Sequence, residues 1–115
     1  MSAGAREYIP DSGDLIWIDF DPQTGHEQAG RRPGLVLSPA AYNGRSGLAI
    51  VCPVTSHIKG YPFEVPLPAG LKVNGAVLAD HAKNIDWKAR KAQKCDSAPA
   101  SVTRTVKQRL LVLIG

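Results

Sequence analysis

Proline and glycine interrupt this sequence about every 8 to 15 residues, which limits the chain to short segments of regular structure. The segments between them are rich in β-branched and aromatic residues. Spacing of this kind is typical of a small antiparallel barrel. It predicts six strands, at residues 15–20, 35–38, 48–54, 63–67, 76–79 and 84–87. The chain has 115 residues, the usual size of one domain, so we expect a single domain over residues 1–115.

The first predicted strand carries the clearest alternation. Ile16, Ile18 and Phe20 lie on one face, and Leu15 and Trp17 lie on the other. Because both faces are apolar, we expect this strand to be covered on both sides.

The carboxyl end of the chain predicts an amphipathic helix. Its apolar stripe at helical spacing consists of Val102, Val106, Leu110 and Leu113. Asp96 or Ser97 is expected to cap this helix. Residues 88–94 have little apolar content and predict a basic loop, whereas Trp87 is predicted to lie in the core.

The sequence contains no recognisable cofactor motif. Motifs of the GxxxxGK[ST], GxGxxG, GxSxG and HExxH types are absent. The histidines are scattered, and Cys52 and Cys95 lack CxxC spacing, so we expect no metal and no other cofactor. The longest apolar run, residues 110–114, is far shorter than the roughly 20 residues of a membrane span. With no apolar leader segment, the chain is expected in the cytoplasm, without a membrane partner.

Charge is distributed unevenly along the chain. The net charge is +4, but residues 1–27 carry −5 and residues 28–115 carry +9. A surplus of this size favours a polyanionic partner such as RNA. An ordinary basic surface would produce the same composition, so charge alone leaves both interpretations open.

Two polar clusters stand beside apolar segments. The loop of residues 25–33 contains His26, Glu27, Gln28, Arg31 and Arg32, which together could bind an anion. Equally, Glu27 and Arg32 could simply pair with each other. The second cluster, Thr55 and Ser56, follows an apolar run, and hydroxyls at a strand end are more often turn caps than catalytic groups.

Several long segments resemble the MazF/PemK toxin family, in order and spacing, from about Tyr8 to Gly115. They are GDLIWIDFDP (13–22), HEQAGRRPGLVLSP (26–39), CPVTS (52–56), KGYPFEV (59–65), VLADHAKNIDWKAR (77–90) and VLIG (112–115). The resemblance implies a mainly β fold: an SH3-like, partly open antiparallel barrel of the MazF/PemK/CcdB type with a C-terminal helix. It also implies a homodimer that acts as a ribosome-independent endoribonuclease on single-stranded RNA. A MazE-like antitoxin with an acidic, flexible carboxyl-terminal segment would hold the toxin inactive.

The same resemblance implies a metal-free cleavage in which the 2′-OH of the RNA is the nucleophile. Arg32 matches the family's catalytic arginine, and Thr55 matches its active-site threonine. Glu27 is the candidate base, and Asp80 is the rival base. The remaining candidates for catalysis or RNA contact are His26, Gln28, Arg31 and Ser56, of which Arg31 could partly replace Arg32 and Ser56 could orient Thr55. Leu78 stands where some members have a catalytic arginine, which favours the branch that uses glutamate, arginine and threonine.

Four further residues are candidates for RNA binding: Tyr61, Lys59, Lys83 and Arg90. An exposed aromatic ring can stack on a base, and lysine and arginine can contact phosphates. The loops at residues 42–47 and 57–60 are expected to set the target sequence. Two alternative functions stay open: a nuclease-inactive nucleic-acid-binding barrel, and a gyrase poison that acts through its C-terminal helix.

Overall fold

The computed structural model describes residues 7–19 and 30–115. Two α-helices are present in these ranges, α1 at Ala40–Ser46 and α2 at Ala100–Ile114. A short 3₁₀ turn spans Ala79–His81. The strands are β1 Asp14–Asp19, β2 Arg31–Val36, β3 Leu48–Thr55, β4 Glu64–Pro66, β5 Ala76–Leu78, β6 Lys83–Asp86 and β7 Gln93–Ser97.

All strand pairs in the described ranges are antiparallel, in the order β4-β5-β3-β2-β1-β7, with β6 paired to β3. The predicted mainly β, partly open antiparallel architecture with a C-terminal helix is confirmed. One edge of β3 is shared by two strands. Leu48–Val51 pairs with β6, and Val54–Thr55 pairs with β5. The Ala79–His81 turn connects β5 to β6 along that edge, which brings Ala79 beside Cys52 of β3.

Hydrophobic side chains pack on both faces of β1, as predicted. Leu15 belongs to the cluster that α2 covers with Val102 and Val106. On the other face, Ile16 and Ile18 belong to a second cluster. Full burial of one such aliphatic side chain stabilises the fold by about 1.5–3 kcal/mol, so both clusters hold β1 and β2 in place.

The predicted stripe of α2 is only partly buried. Val102 and Val106 are buried and Leu110 is partly buried, but Leu113 is 52% exposed. Trp87 is buried as predicted, and its Nε1 donates a hydrogen bond to the carbonyl of Asn43 at 2.9 Å. In the described ranges, no helix combines the length and apolar character needed to cross a membrane.

The structure corrects three local predictions. Residues 93–97 form β7 where a basic loop was predicted through residue 94, because they pair with β1 although their side chains are exposed or half-buried. Residues 40–46 form α1, which covers most of the predicted 42–47 loop, and Gly47 follows as the C-cap with φ +76°. Finally, α2 begins after Pro99, and no side chain of the described residues caps it, because the Asp96 carboxylate instead accepts the backbone N–H groups of Lys72 and Ser97.

Candidate active site

Arg32 and Thr55 come from neighbouring strands. The ladder between β2 and β3 ends at the pair Gly34 and Pro53. Two residues beyond this pair on each strand are Arg32 and Thr55, which strand alternation places on the same face. Arg32 is exposed and Thr55 is half-buried. Arg32 was predicted to lie in a loop, but it lies in β2, whose backbone is fixed by pairing with β1.

A cleft of about 380 Å³ opens at the end of β3. Its lining brings together four of the candidates, Thr55, Lys59, Tyr61 and Asp80. The remaining lining residues are His57, Glu64, Leu78 and His81. Arg32, Arg31, Lys83 and Arg90 lie outside this lining. The cleft exists because the end of β3 pairs with β5, while the turn that follows β5 carries Asp80 and His81 back beside Thr55.

The Thr55 hydroxyl is oriented by backbone. Its Oγ1 accepts the N–H of His57 at 3.0 Å. Because this bond uses a lone pair, the hydroxyl proton can be donated to a group in the cleft. Ser56 was expected to orient Thr55, but its side chain is exposed. The hydrogen bond to the Thr55 hydroxyl comes instead from the backbone N–H of His57.

Asp80 and His81 present a carboxylate and an imidazole to the cleft. The Asp80 Oδ1 lies 3.8 Å from the His81 Nε2, and both side chains are exposed. Beneath this turn lies the buried thiol of Cys52. Burial, with a smaller contribution from the charge of Asp80, raises the pKa of Cys52 to about 12. The thiol therefore stays protonated and does not act as a nucleophile.

Glu64 also lines the cleft but was not among the predicted site residues; it is only 8% exposed at the start of β4. Its carboxylate accepts backbone N–H groups from Lys59, Gly60 and Tyr61, at 2.7 to 3.2 Å. Burial opposes ionisation, but these hydrogen bonds outweigh it and lower the pKa of Glu64. The available signal was a single acidic residue in an otherwise apolar stretch between Phe63 and Val65.

Arg31 is engaged in contacts away from the cleft. Its Nη1 lies 3.1 Å from Asp19 Oδ1, and its Nη2 donates to the carbonyls of Trp17 and Lys91. Arg90 donates from Nη1 to the carbonyl of Asp19 at 3.0 Å. These bonds tie β1 to the turn that precedes β7.

The other predicted site residues lie in different environments. Tyr61 is 61% exposed, as expected for a stacking residue, and Lys59 Nζ lies 6.0 Å from the centre of its ring. Lys83 is exposed on β6, opposite Val51. His26, Glu27 and Gln28 lie outside the described residues, so their roles stay predictions. Within residues 7–19 and 30–115, no three His, Cys, Asp or Glu side chains are grouped as metal ligands would be.

The chain matches a known protein family. Residues 11–114 match the model of the PemK-like, MazF-like toxins of type II toxin–antitoxin systems. The chain belongs to this family. It is 49% identical over 108 residues to the endoribonuclease toxin MazF of Escherichia coli K12, covering 94% of this chain and 96% of the relative.

Solved structures of the family have the same fold. MazF (Form-I) from Deinococcus radiodurans superposes with a TM-score of 0.87 at 59% identity, covering 95% of this chain and 99% of that chain. A MazE–MazF complex (Form-II) from the same organism gives a TM-score of 0.85 at 53% identity, with coverages of 95% and 98%. The resemblance recognised in the sequence motifs is therefore confirmed, as is the fold that it implied.

Proposed function

We propose that this protein is a ribosome-independent endoribonuclease toxin of a type II toxin–antitoxin system, which cuts single-stranded RNA at a short target sequence. The proposal rests mainly on the Thr55 hydroxyl, which lies in a cleft with Asp80 and on the same strand face as Arg32. Membership of the MazF-like toxin family and the 49% identity to an endoribonuclease toxin support it.

The proposed reaction is a transphosphorylation without a metal ion. Glu27 takes the proton of the 2′-OH, and the 2′-oxygen attacks the adjacent phosphorus. The bond from phosphorus to the 5′-oxygen breaks, and that oxygen leaves with a proton, which His26 assists in supplying. Arg32 stabilises the charge on the crowded phosphate with its permanently charged guanidinium. The Thr55 hydroxyl donates a hydrogen bond to the same phosphate, and the products carry a 2′,3′-cyclic phosphate and a 5′-OH.

Leu78 supports the assignment of the reaction to Glu27, Arg32 and Thr55. It lines the cleft beside Thr55 and Asp80, where some family members are expected to carry a catalytic arginine. A leucine side chain cannot bind a phosphate. The positive charge at the reacting phosphate is therefore assigned to Arg32, and Arg31, which is bonded to Asp19, Trp17 and Lys91, is assigned a structural role.

The proposed inhibitor is a MazE-like antitoxin whose acidic, flexible carboxyl-terminal segment occupies the RNA-binding surface. The +9 charge of residues 28–115 would attract such a segment, and MazF of Deinococcus radiodurans forms a complex with MazE. Inhibition should be competitive with RNA and should weaken as salt rises. An acidic peptide that binds the protein and leaves its RNA affinity unchanged would contradict this proposal.

The proposed working form is a homodimer in the cytoplasm. Closed C₂ dimers are the commonest assemblies of identical chains. Light scattering should give about 25 kDa, twice the 12.3 kDa of one chain. A monomer mass at micromolar concentration would contradict the dimer, and recovery of the protein with cell membranes would contradict the location.

One assay distinguishes this function from the two alternatives. The purified protein is incubated with a long single-stranded RNA, and in parallel with DNA gyrase and supercoiled DNA. The endoribonuclease yields discrete RNA fragments and leaves gyrase active. RNA that is bound but not cut would indicate a nuclease-inactive binding barrel, and trapped gyrase–DNA complexes would indicate a gyrase poison.

A further inference from the structure

The carboxylate of Glu64 accepts several backbone hydrogen bonds within the cleft. Its Oε1 accepts the N–H of Gly60 at 2.7 Å and that of Lys59 at 3.0 Å, and Oε2 lies 3.1 Å from the Lys59 nitrogen. The Tyr61 N–H reaches Oε1 at 3.2 Å. Three successive backbone donors thus converge on one buried side chain. Hydrogen bonds to a charged acceptor are stronger than neutral ones, so this arrangement fixes the backbone of residues 59–61.

The other end of the same loop is also anchored. The N–H of Glu64 donates to the carbonyl of Tyr61 at 3.0 Å, and the N–H of Ala79 donates to the carbonyl of Phe63 at 2.9 Å. Arg109 of α2 contacts the carbonyl of Pro62. The loop is therefore held by β4, by the turn that carries Asp80 and by the C-terminal helix.

This fixed loop presents two exposed side chains. Tyr61 is 61% exposed although it is large and aromatic, and its ring is held near the ammonium group of Lys59. Both side chains line the same cleft as Thr55. An exposed ring next to a cation is the combination that binds a nucleobase by stacking and its phosphate by charge.

Glu64 is poorly suited to act as the base itself. Three backbone N–H groups already donate to this carboxylate, and these hydrogen bonds lower its pKa despite its burial. A carboxylate stabilised in its charged form accepts a proton weakly. Its role therefore follows from the loop backbone that it holds in place.

We propose that Glu64 is a positioning residue of the RNA cleft, whose carboxylate holds the 59–61 loop so that Tyr61 stacks on a nucleobase beside Thr55. This inference rests on the endoribonuclease function proposed above. It makes substrate affinity, and not the chemical step, the quantity that Glu64 controls.

The main test compares Glu64→Gln with a matched control, Asp96→Asn. Asp96 also accepts two backbone N–H groups, from Lys72 and Ser97, and it lies outside the cleft lining.

Steady-state cleavage of a short RNA gives KM and kcat. Binding of the same oligonucleotide with a 2′-deoxy linkage at the cleaved site gives affinity without chemistry. For Glu64→Gln we expect KM and the dissociation constant to rise about 5- to 100-fold, the loss typical of one base stack, with kcat little changed. Asp96→Asn should leave all three values unchanged.

A double-mutant cycle separates positioning from a general loss of stability. If Glu64 acts through Tyr61, Tyr61→Ala should raise KM by a similar factor, and adding Glu64→Gln should raise it little further. Factors that multiply would show that Glu64 does not act through Tyr61 and would overturn the proposal. So would an unchanged KM, or a fall in kcat alone, in a folded Glu64→Gln protein.

Gly60→Ala gives a second route if Glu64→Gln fails to fold. Gly60 has φ +87°, and no atom of residues 7–19 and 30–115 lies within 4 Å of an added Cβ. The substitution therefore strains the loop backbone without a clash and without unpairing a buried charge. A rise in KM would support the proposal, and an unchanged KM would contradict it. Failure of the unmodified protein to cut RNA would instead contradict the proposed function, which keeps the two failures distinct.

Discussion

Arg31 and Asp19 form an ion pair across β1 and β2, with Nη1 and Oδ1 3.1 Å apart, while the next residue, Arg32, lies on the opposite face of β2. Two adjacent arginines are therefore separated by strand alternation. One is bonded to the sheet, and the other is available to a phosphate. In the sequence, only the match to the family's motif favours Arg32 over Arg31 as the catalytic arginine.

The two arginines should differ in what their loss affects. Arg32→Ala should slow cleavage about 10²- to 10³-fold, the usual effect of removing one donor that stabilises transition-state charge, with the melting temperature unchanged. Arg31→Ala should instead lower the free energy of unfolding by about 1–2 kcal/mol, because the lost ion pair is partly exposed but two carbonyl contacts are lost with it. Cleavage rates and thermal unfolding of both variants provide the measurement. A large rate loss in Arg31→Ala at unchanged stability would reverse the assignment.

Glu27 and Asp80 compete for the role of base. We expect Glu27→Gln to lower kcat about 10²- to 10⁴-fold, the range for a lost general base, and to remove the acid limb of the pH–rate profile. Asp80→Asn, which keeps the side chain beside Thr55 but removes its charge, should lose less and keep that limb. If Asp80→Asn loses more activity than Glu27→Gln, the base is Asp80.

Gly75 packs directly against the backbone of Thr55. A Cβ added at Gly75 would lie 2.0 Å from the Thr55 carbonyl oxygen, and Gly75 has φ +125°. Gly75→Ala should therefore displace the end of β3, lower stability by about 1–3 kcal/mol and slow cleavage. Gly70→Ala is the matched control, since Gly70 has φ +96° but, among the residues that the structure describes, no atom within 4 Å of an added Cβ. It should lose some stability and keep its cleavage rate. Equal rates in the two variants would show that the position of Thr55 is unimportant.

Asp96 should make stability depend on acid. The N–H groups of Lys72 and Ser97 outweigh desolvation and lower the pKa of Asp96 below its unfolded value of about 3.9. The folded state then binds fewer protons than the unfolded state, so the added stability is present above pH about 3.9 and is lost as the pH falls through the folded pKa. In urea unfolding, wild type should exceed Asp96→Asn in stability at neutral pH, and the difference should shrink with acidification. A difference that is constant with pH would contradict this account.

Local patterns predicted the parts of the fold that local burial determines. The alternation of β1 could be recognised in the sequence because Leu15 packs in one hydrophobic cluster and Ile16 in the other. By contrast, β7 carries no apolar alternation, and its strand conformation comes from pairing with β1, about 80 residues earlier in the chain. A pairing between distant segments leaves no periodicity for local sequence analysis to detect.

The candidate site was predictable to a similar extent. Thr55 and Asp80 were identified through family motifs, but their meeting in one cleft depends on how β5 and β6 divide the edge of β3. Glu64 was missed because its role comes from loop N–H groups that converge on it in the folded state. Such a convergence is a property of backbone conformation, which a single acidic residue in the sequence does not reveal.

The nature of the nucleophile tests the central claim most directly. An oligonucleotide containing the target site is incubated with the protein in excess chelator, once as RNA and once with hydrogen in place of the 2′-OH at the cleaved nucleotide. We predict that the RNA is cut at an undiminished rate to a 2′,3′-cyclic phosphate and a 5′-OH, and that the deoxy analogue is bound but not cut. Cleavage of the deoxy analogue, or loss of RNA cleavage with chelator, would contradict it and would indicate hydrolysis by water or a metal-bound nucleophile.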